Sequence, residues 1–437
     1  MRFLHCSLAL IFTIACPVSV FAAEPPAGFQ PLFNGVNLNG LHGWDHQAMT
    51  KFRDATPDEL SQVTAEWTAD AEKHWSVENG ELVNDGHGKY LATDGNYRDF
   101  ELLLEYRTVA GADSGIYLKG CPQVQIWDFT DPRKFAIGAD LGSGGLWNNS
   151  PGQPGKDPLF LADRSLGQWN SFRILQVGSR TSVWLNGQHI VDNAVMENYF
   201  DRGAPLPLEG PVVLQTHGGE IRWRHMAIRE LSSEEANTFL AAHQRQAFVS
   251  VFNGTDLSGW QGAVNDYEVV DGAIRCRDGH GGLLLTENEY SNFIARLEFR
   301  LPPGGNNGLA IRSPLTGDPA YHAMCELQVL DSTHEKYVDL DKRQYHGSAY
   351  GMTAARRGFL RPTGEWNYQQ VVVDGSQIQV ELNGALILDT DLAGVTEYMK
   401  NSSHPGKDRT SGYFGFAGHS DPVEFRSIAI RKLADSQ

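Results

Sequence analysis

The chain has 437 residues, enough for two or three ordinary domains, and is 41% hydrophobic and 20% charged. Its formal charge of −17, from 36 basic against 53 acidic side chains, disfavours nucleic acid and anionic membrane surfaces as partners. With 46 Gly and 10 Trp, the composition suits short strands joined by many turns better than a helical protein.

Residues 1–23 read as a signal peptide: Arg2 supplies the positive end, Leu8 to Ile14 the apolar core, and Val20-Phe21-Ala22 the small-x-small cleavage site. The expected location is therefore periplasmic or extracellular. A lipoprotein anchor at Ala15-Cys16 is the less favoured alternative, because Thr13 stands where a Leu is usual. The segment is too short and interrupted for a membrane span, and no later stretch reads as one. Removing it leaves Cys121, Cys276 and Cys325, an odd set that reads as buried small apolar residues rather than a disulfide framework.

The mature chain repeats itself. Phe33-Asn34-Gly35, Leu38, Gly40 and Trp44 answer Phe252-Asn253-Gly254, Leu257, Gly259 and Trp260. Asn79-Gly80 matches Asp271-Gly272, and Leu-Asn-Gly recurs at 185–187 and 382–384 after Trp169-Asn170 and Trp366-Asn367. The copies close on Trp223 to Arg229 and Phe425 to Arg431. Matching landmarks in one order mean two tandem modules, 29–231 and 247–434. The first carries an insertion, roughly 45 to 70, where Thr56-Pro57-Asp58-Glu59 predicts a helix start. Residues 232–246 open with Ser232-Ser233-Glu234-Glu235, a capping box that predicts a short linking helix.

Within each module the period is two. Phe100 to Tyr106 and Phe293 to Phe299 are matched strand candidates, as are Phe172 to Val177 and Gln370 to Val373. About ten short strands per module without a long helix predict an all-β fold, with each module a two-sheet sandwich. The loops at 142–158 and 398–409 read as surface connections.

The chemistry-bearing comparison is Gln123-Val124-Gln125-Ile126-Trp127-Asp128 against Glu326-Leu327-Gln328-Val329-Leu330-Asp331. Alternation puts Glu326 and Gln328 on one strand face, with Gln123 and Gln125 in the same places in module one. Polar groups on a packed face need partners, whereas on an open face they suit a sugar. Glu326 is thus a candidate acid or base and Gln328 a hydrogen-bonding positioner, with Asp331 at the strand end. The preceding strands end in cations, Lys119 and Arg312, suited to a sugar oxygen, an oxyanion or a neighbouring carboxylate. Module two adds His346 and Tyr350; module one has no matching histidine in that region. Trp127, Trp147 and Tyr350 are stacking candidates that equally suit a core. No motif signals a metal or nucleotide cofactor, although a divalent cation such as calcium, held by Asp and carbonyl oxygens, leaves no sequence signature.

The Phe-Asn-Gly…Gly-Trp opening, the Asn-Gly-Leu-Ala-Ile-Arg strand at 307–312, the Glu-Leu-Gln-Val-Leu-Asp run at 326–331 and the Trp-Asn…Leu-Asn-Gly hairpin resemble the 3-keto-disaccharide hydrolase domain family, once per module. That resemblance implies two tandem concanavalin A-like jelly-roll sandwiches joined by a short helix, export, and action on glycosides oxidised at C3. It implies a site around Glu326, with Gln328, Asp331 and Arg312, and a functional link to a glycoside 3-dehydrogenase. Module one departs: Gln123 stands for Glu and Lys119 for Arg, so Gln125, Asp128 and Lys119 are expected to bind rather than catalyse. Its closing run Gly210 to Gly218 is nearer the family pattern than Gly412 to His419 in module two, so a site built by both modules stays open.

The expected reaction is removal of the C2 proton, acidified by the C3 carbonyl, followed by elimination of the anomeric oxygen and hydration. Glu326 or His346 would be the base, Arg312 would meet the enolate oxygen and Gln328 a hydroxyl. The alternative is a non-catalytic pair of carbohydrate-binding sandwiches.

Overall fold

The computed structural model describes residues 24–52 and 54–434. The signal-peptide reading falls outside the described residues. Among the described residues no helix is long and apolar enough to cross a membrane.

The chain folds as two antiparallel β-sandwiches. In each, an eight-stranded sheet faces a five-stranded one. This exceeds the ten or so strands expected per module, because strands as short as Gln30–Pro31 and Val213–Leu214 carry no period of their own. Alternation fills the space between the sheets. In module two Leu309, Leu327, Phe414 and Phe416 point inward from the small sheet against Phe293, Leu297 and Phe425 of the large one, and Phe416 stacks on Phe425 with ring centres 3.9 Å apart. The residues between these, Gly308, Ala310, Glu326 and Gln328, are left on the outer face of the small sheet.

The insertion in module one forms the helix Pro57–Ala71, started by a Thr56–Glu59 capping box with proline in the first turn. It lies on the strand Leu41–Trp44, where Gly43 lets the Trp67 backbone come close enough that no β-carbon would fit. The linking helix, Ser233–Ala242, starts on the Ser232–Glu235 capping box and stops earlier than residue 246 because His243 turns to an extended conformation.

That helix is a wedge between the modules. Ala236 and Leu240 pack with Leu175 and Val177 of the first module and Tyr368 of the second. Arg180 then reaches across to Glu381 with three bonds of 2.5–3.1 Å, and the Ser179 N–H donates to the Gly384 carbonyl at 2.9 Å. Because Glu381 is nearly buried, removing its partner strands a carboxylate. Arg180→Ala is expected to destabilise the joint by roughly 1–3 kcal/mol, and scanning calorimetry should then resolve two unfolding transitions. A single unshifted transition would show that the pair does not couple the modules.

Candidate active site

In module two the five-stranded sheet runs Trp260–Gly262, Gly281–Tyr290, Gly412–His419, Asn306–Ser313, Cys325–Leu330. Register fixes who shares its outer face. One cross-strand row holds Leu285, Gly415, Ala310 and Glu326; the next holds Leu283, Ala417, Gly308 and Gln328. The small residues Gly415, Ala310, Ala417 and Gly308 leave a hollow beside the two longer polar side chains. The result is a pocket of about 280 Å³ walled by Asn306, Tyr321, Glu326, Gln328, Tyr350 and His419, among others.

Glu326 is 2% exposed, and its carboxylate faces the His419 imidazole with Oε1 and Nε2 3.4 Å apart. The bond to Glu326, with the field of Glu326, Asp318 and Asp421, outweighs burial and raises the His419 pKa above its ordinary value. Gln328 Nε2 donates to Asn306 Oδ1 at 2.7 Å. Tyr350 accepts from Gln344 Nε2 at 3.1 Å, which leaves its own hydroxyl proton to be given elsewhere. A buried carboxylate beside a half-exposed imidazole, edged by amides and phenols, can pass a proton in each direction and hold a sugar ring. The coupling predicts that Glu326→Gln lowers the His419 pKa, measurable as a move of the midpoint to lower pH in an NMR titration of the ring protons; an unchanged midpoint would show that the pair is not coupled.

The pocket gathers Glu326, Gln328 and Tyr350 from the sequence-predicted set. His346 is not there. It is buried, stacked on Phe299 with ring centres 5.0 Å apart and bonded to Gln369 at 3.1 Å, and burial drives its pKa down to about 3. Arg312 is also turned away, because a left-handed residue (φ 48°) breaks the strand alternation at that point. Its guanidinium donates to the carbonyls of Ser291, Gly375 and Arg409 and stitches the sandwich edge. Lys119 does the same in module one, at φ 54° with Nζ 3.0 Å from the Gly178 carbonyl; burial pushes its pKa down to about 8. Asp331 accepts from Gly304 N–H and from Thr333, and Asp128 likewise from Gly111 N–H and Thr130. These bonds outweigh burial and keep both carboxyls below their usual pKa. Each carboxylate thus ties down a turn.

Residues not singled out beforehand complete the pocket: His419, Asn306, Tyr321, Gln344 and Tyr337. The signal for His419 was present in the closing strands, where a histidine beside a glycine recurs as His217-Gly218 and Gly418-His419.

Module one holds the same frame, filled in. Tyr117 and Val213 stand at the places of Ala310 and Gly415, and Gln215 at that of Ala417. The Tyr117 hydroxyl meets His46 Nδ1 at 2.8 Å, and the His46 ring is surrounded by Tyr90, Tyr117, Tyr199 and Phe200. His46 comes from the insertion. Gln123 lies over Gly115 and donates to Gln125, which donates in turn to Asp113 Oδ1 at 2.9 Å. Asp113 takes over the pairing with the histidine: His217 Nδ1 is 3.0 Å away and Lys134 Nζ 2.9 Å. That carboxylate is saturated and held below its usual pKa, those bonds overcoming burial. A larger hollow, about 640 Å³, lies on the outer face of the large sheet of module one; Glu105 there is bonded by Arg224 at 2.6 Å, so it offers no free base. Among the described residues no group of three or more His, Cys, Asp or Glu is placed to hold a metal ion.

Comparison with known proteins agrees with the duplication. Residues 28–229 and 247–431 each match the family described as the 3-keto-alpha-glucoside-1,2-lyase-like domain. A 3-keto-disaccharide hydrolase of Bacteroides thetaiotaomicron is 24% identical over 246 residues, spanning 47% of this chain and 85% of that protein. Among solved structures, a candidate glycosyl hydrolase from Parabacteroides distasonis ATCC 8503 is 25% identical with a TM-score of 0.39, covering 43% of this chain and 99% of that one. A carbohydrate-binding module, CBM66 from Bacillus subtilis, is 12% identical with a TM-score of 0.28, over 40% of this chain and 96% of that one. With two matched segments that together span most of its length, the chain belongs to the 3-keto-alpha-glucoside-1,2-lyase-like domain family, in two tandem copies.

Proposed function

We propose that module two cleaves 3-keto-glycosides by elimination and hydration, and that module one supports it without turning over substrate. The observation that carries this reading is the buried Glu326 carboxylate facing His419 in an open pocket of module two, where module one has Gln123 and a filled groove. The names of the family and of the Bacteroides relative support the substrate class.

Glu326 takes the C2 proton, acidified by the C3 carbonyl. The C1–O bond breaks with its electron pair, a C1=C2 double bond conjugated with the carbonyl forms, and the His419 imidazolium gives its proton to the departing oxygen. Water then adds at C1, C2 regains a proton, and the sum is hydrolysis. This differs from displacement between two flanking carboxylates. The negative charge that develops on the C3 oxygen would meet the Tyr350 hydroxyl or the Asn306 amide, not Arg312. The substrate must come from an oxidation at C3, so a glycoside 3-dehydrogenase is the reaction class expected upstream, outside the cytoplasm if the signal peptide acts as read.

The test is product release from 3-keto-disaccharides and their unoxidised parents in D₂O, with and without calcium, followed by mass spectrometry. Cleavage of the 3-keto compounds alone, with deuterium at C2 of the released sugar, is expected. Cleavage without that label would refute elimination. No cleavage in either calcium condition would leave a tandem carbohydrate-binding protein as the better reading.

A further inference from the structure

A third cavity, about 450 Å³, lies where the modules meet. Three segments build it, and each differs between the modules: the insertion supplies Met49, the loop after the strand Gln188–Val195 supplies Phe200 and Leu206, and the loop before the strand Trp366–Asp374 supplies Phe359. These walls are apolar. Arg356 and Arg357 stand at the edge, with Asp201 as the one carboxylate beside them.

Both arginines are exposed, and neither has a carboxylate within ion-pairing distance among the described residues, in a chain whose net charge is −17. They are nevertheless fixed. Arg356 is anchored by its backbone N–H on the Ile387 carbonyl at 2.8 Å and by its guanidinium on the Gly203 carbonyl at 2.6 Å. Arg357 lies over the Tyr345 ring at 3.6 Å and donates to the Ser332 carbonyl at 3.0 Å. Each uses only part of its donor fork in these bonds, and a planar fork with free N–H groups matches a carboxylate. An apolar cleft at a domain boundary with a few convergent polar groups is the usual form of a small-molecule site.

We infer that the cleft between the modules binds an aryl carboxylate, its ring against Met49, Phe200 and Phe359 and its carboxylate on Arg356, with Arg357 adding positive charge at the edge. The site is separate from the pocket of Glu326. Asp201, the one carboxylate in the lining, selects against ligands with several negative charges.

The test is calorimetric titration of the full chain with 4-methoxycinnamate, its methyl ester, and glucuronate as a carboxylate without an apolar ring. The carboxylate should bind the unmodified protein saturably, the ester and glucuronate at least about tenfold more weakly. The exposed double variant R356Q/R357Q should lose about tenfold or more in affinity while still unfolding cooperatively well above the titration temperature, and E326Q should bind as the unmodified protein does. Binding unaffected by the double substitution, lost on E326Q, matched by glucuronate, or absent up to millimolar probe would each overturn the assignment. Because the E326Q arm reads binding and not turnover, failure here and failure of the proposed reaction are separate results.

Discussion

Replacing Glu326 with glutamine is expected to cut turnover of a 3-keto-disaccharide by roughly 10²–10⁴-fold, the range for removing a positioned acid–base group, with little change in KM. The amide has the shape of the carboxylate and stays on Gly308, but it cannot accept the C2 proton near neutral pH. It also removes the charge that holds the His419 pKa up, so any remaining activity should lose its alkaline limb at a lower pH than before. The sign follows from the pairing: His419 is the proton donor only while protonated, and the window in which it is protonated extends upward in pH because of Glu326. Module one makes the same substitution naturally at Gln123, which is why its catalysis is not expected. Initial-rate measurements across pH on both proteins decide the matter. Full turnover by E326Q would move catalysis away from this carboxylate altogether.

The architecture was legible in the sequence because it rests on repetition and a period of two, both local patterns. The helix start at Thr56-Pro57 and the capping box at Ser232 were legible for the same reason. Glu326 and Gln328 were legible since strand parity alone puts them on one face. The rest failed where parity failed or where chain distance hid contact. Arg312 and Lys119 end their strands in left-handed conformations that turn them to the sandwich edge, and no residue-type signal announces such a bend. His346 is only four residues from Tyr350, yet the segment between turns it inward onto Phe299. His419 is distant in sequence from Glu326, and only antiparallel pairing of Gly412–His419 with Asn306–Ser313 brings them together. Comparing the histidines that end both closing strands would have found it. Part of the filling of module one, Tyr117 and Val213 against Ala310 and Gly415, lay in aligned segments, whereas His46 comes from an insertion with no counterpart to compare.

Gly308→Ala should lower kcat by about 100-fold or more, the cost of displacing a reacting group by roughly an ångström. A β-carbon at Gly308 would overlap the Glu326 side chain along its length, from Cγ to Oε1. Gly308 is not among the residues with positive φ, so alanine is acceptable to the backbone, and the side chain of Glu326 is what has to give. Melting temperature should therefore move by only a few degrees while the carboxylate leaves its place beside His419. The matching change in module one is a control of the same physical kind: a β-carbon at Gly115 would come 2.7 Å from Gln123 Cδ, displacing an amide that has no proton to exchange. Gly115→Ala should leave kcat unchanged. Loss of activity in Gly115→Ala with retention in Gly308→Ala would reverse the roles given to the two modules. Equal loss in both would require a site to which both contribute, since neither pocket alone could then account for turnover.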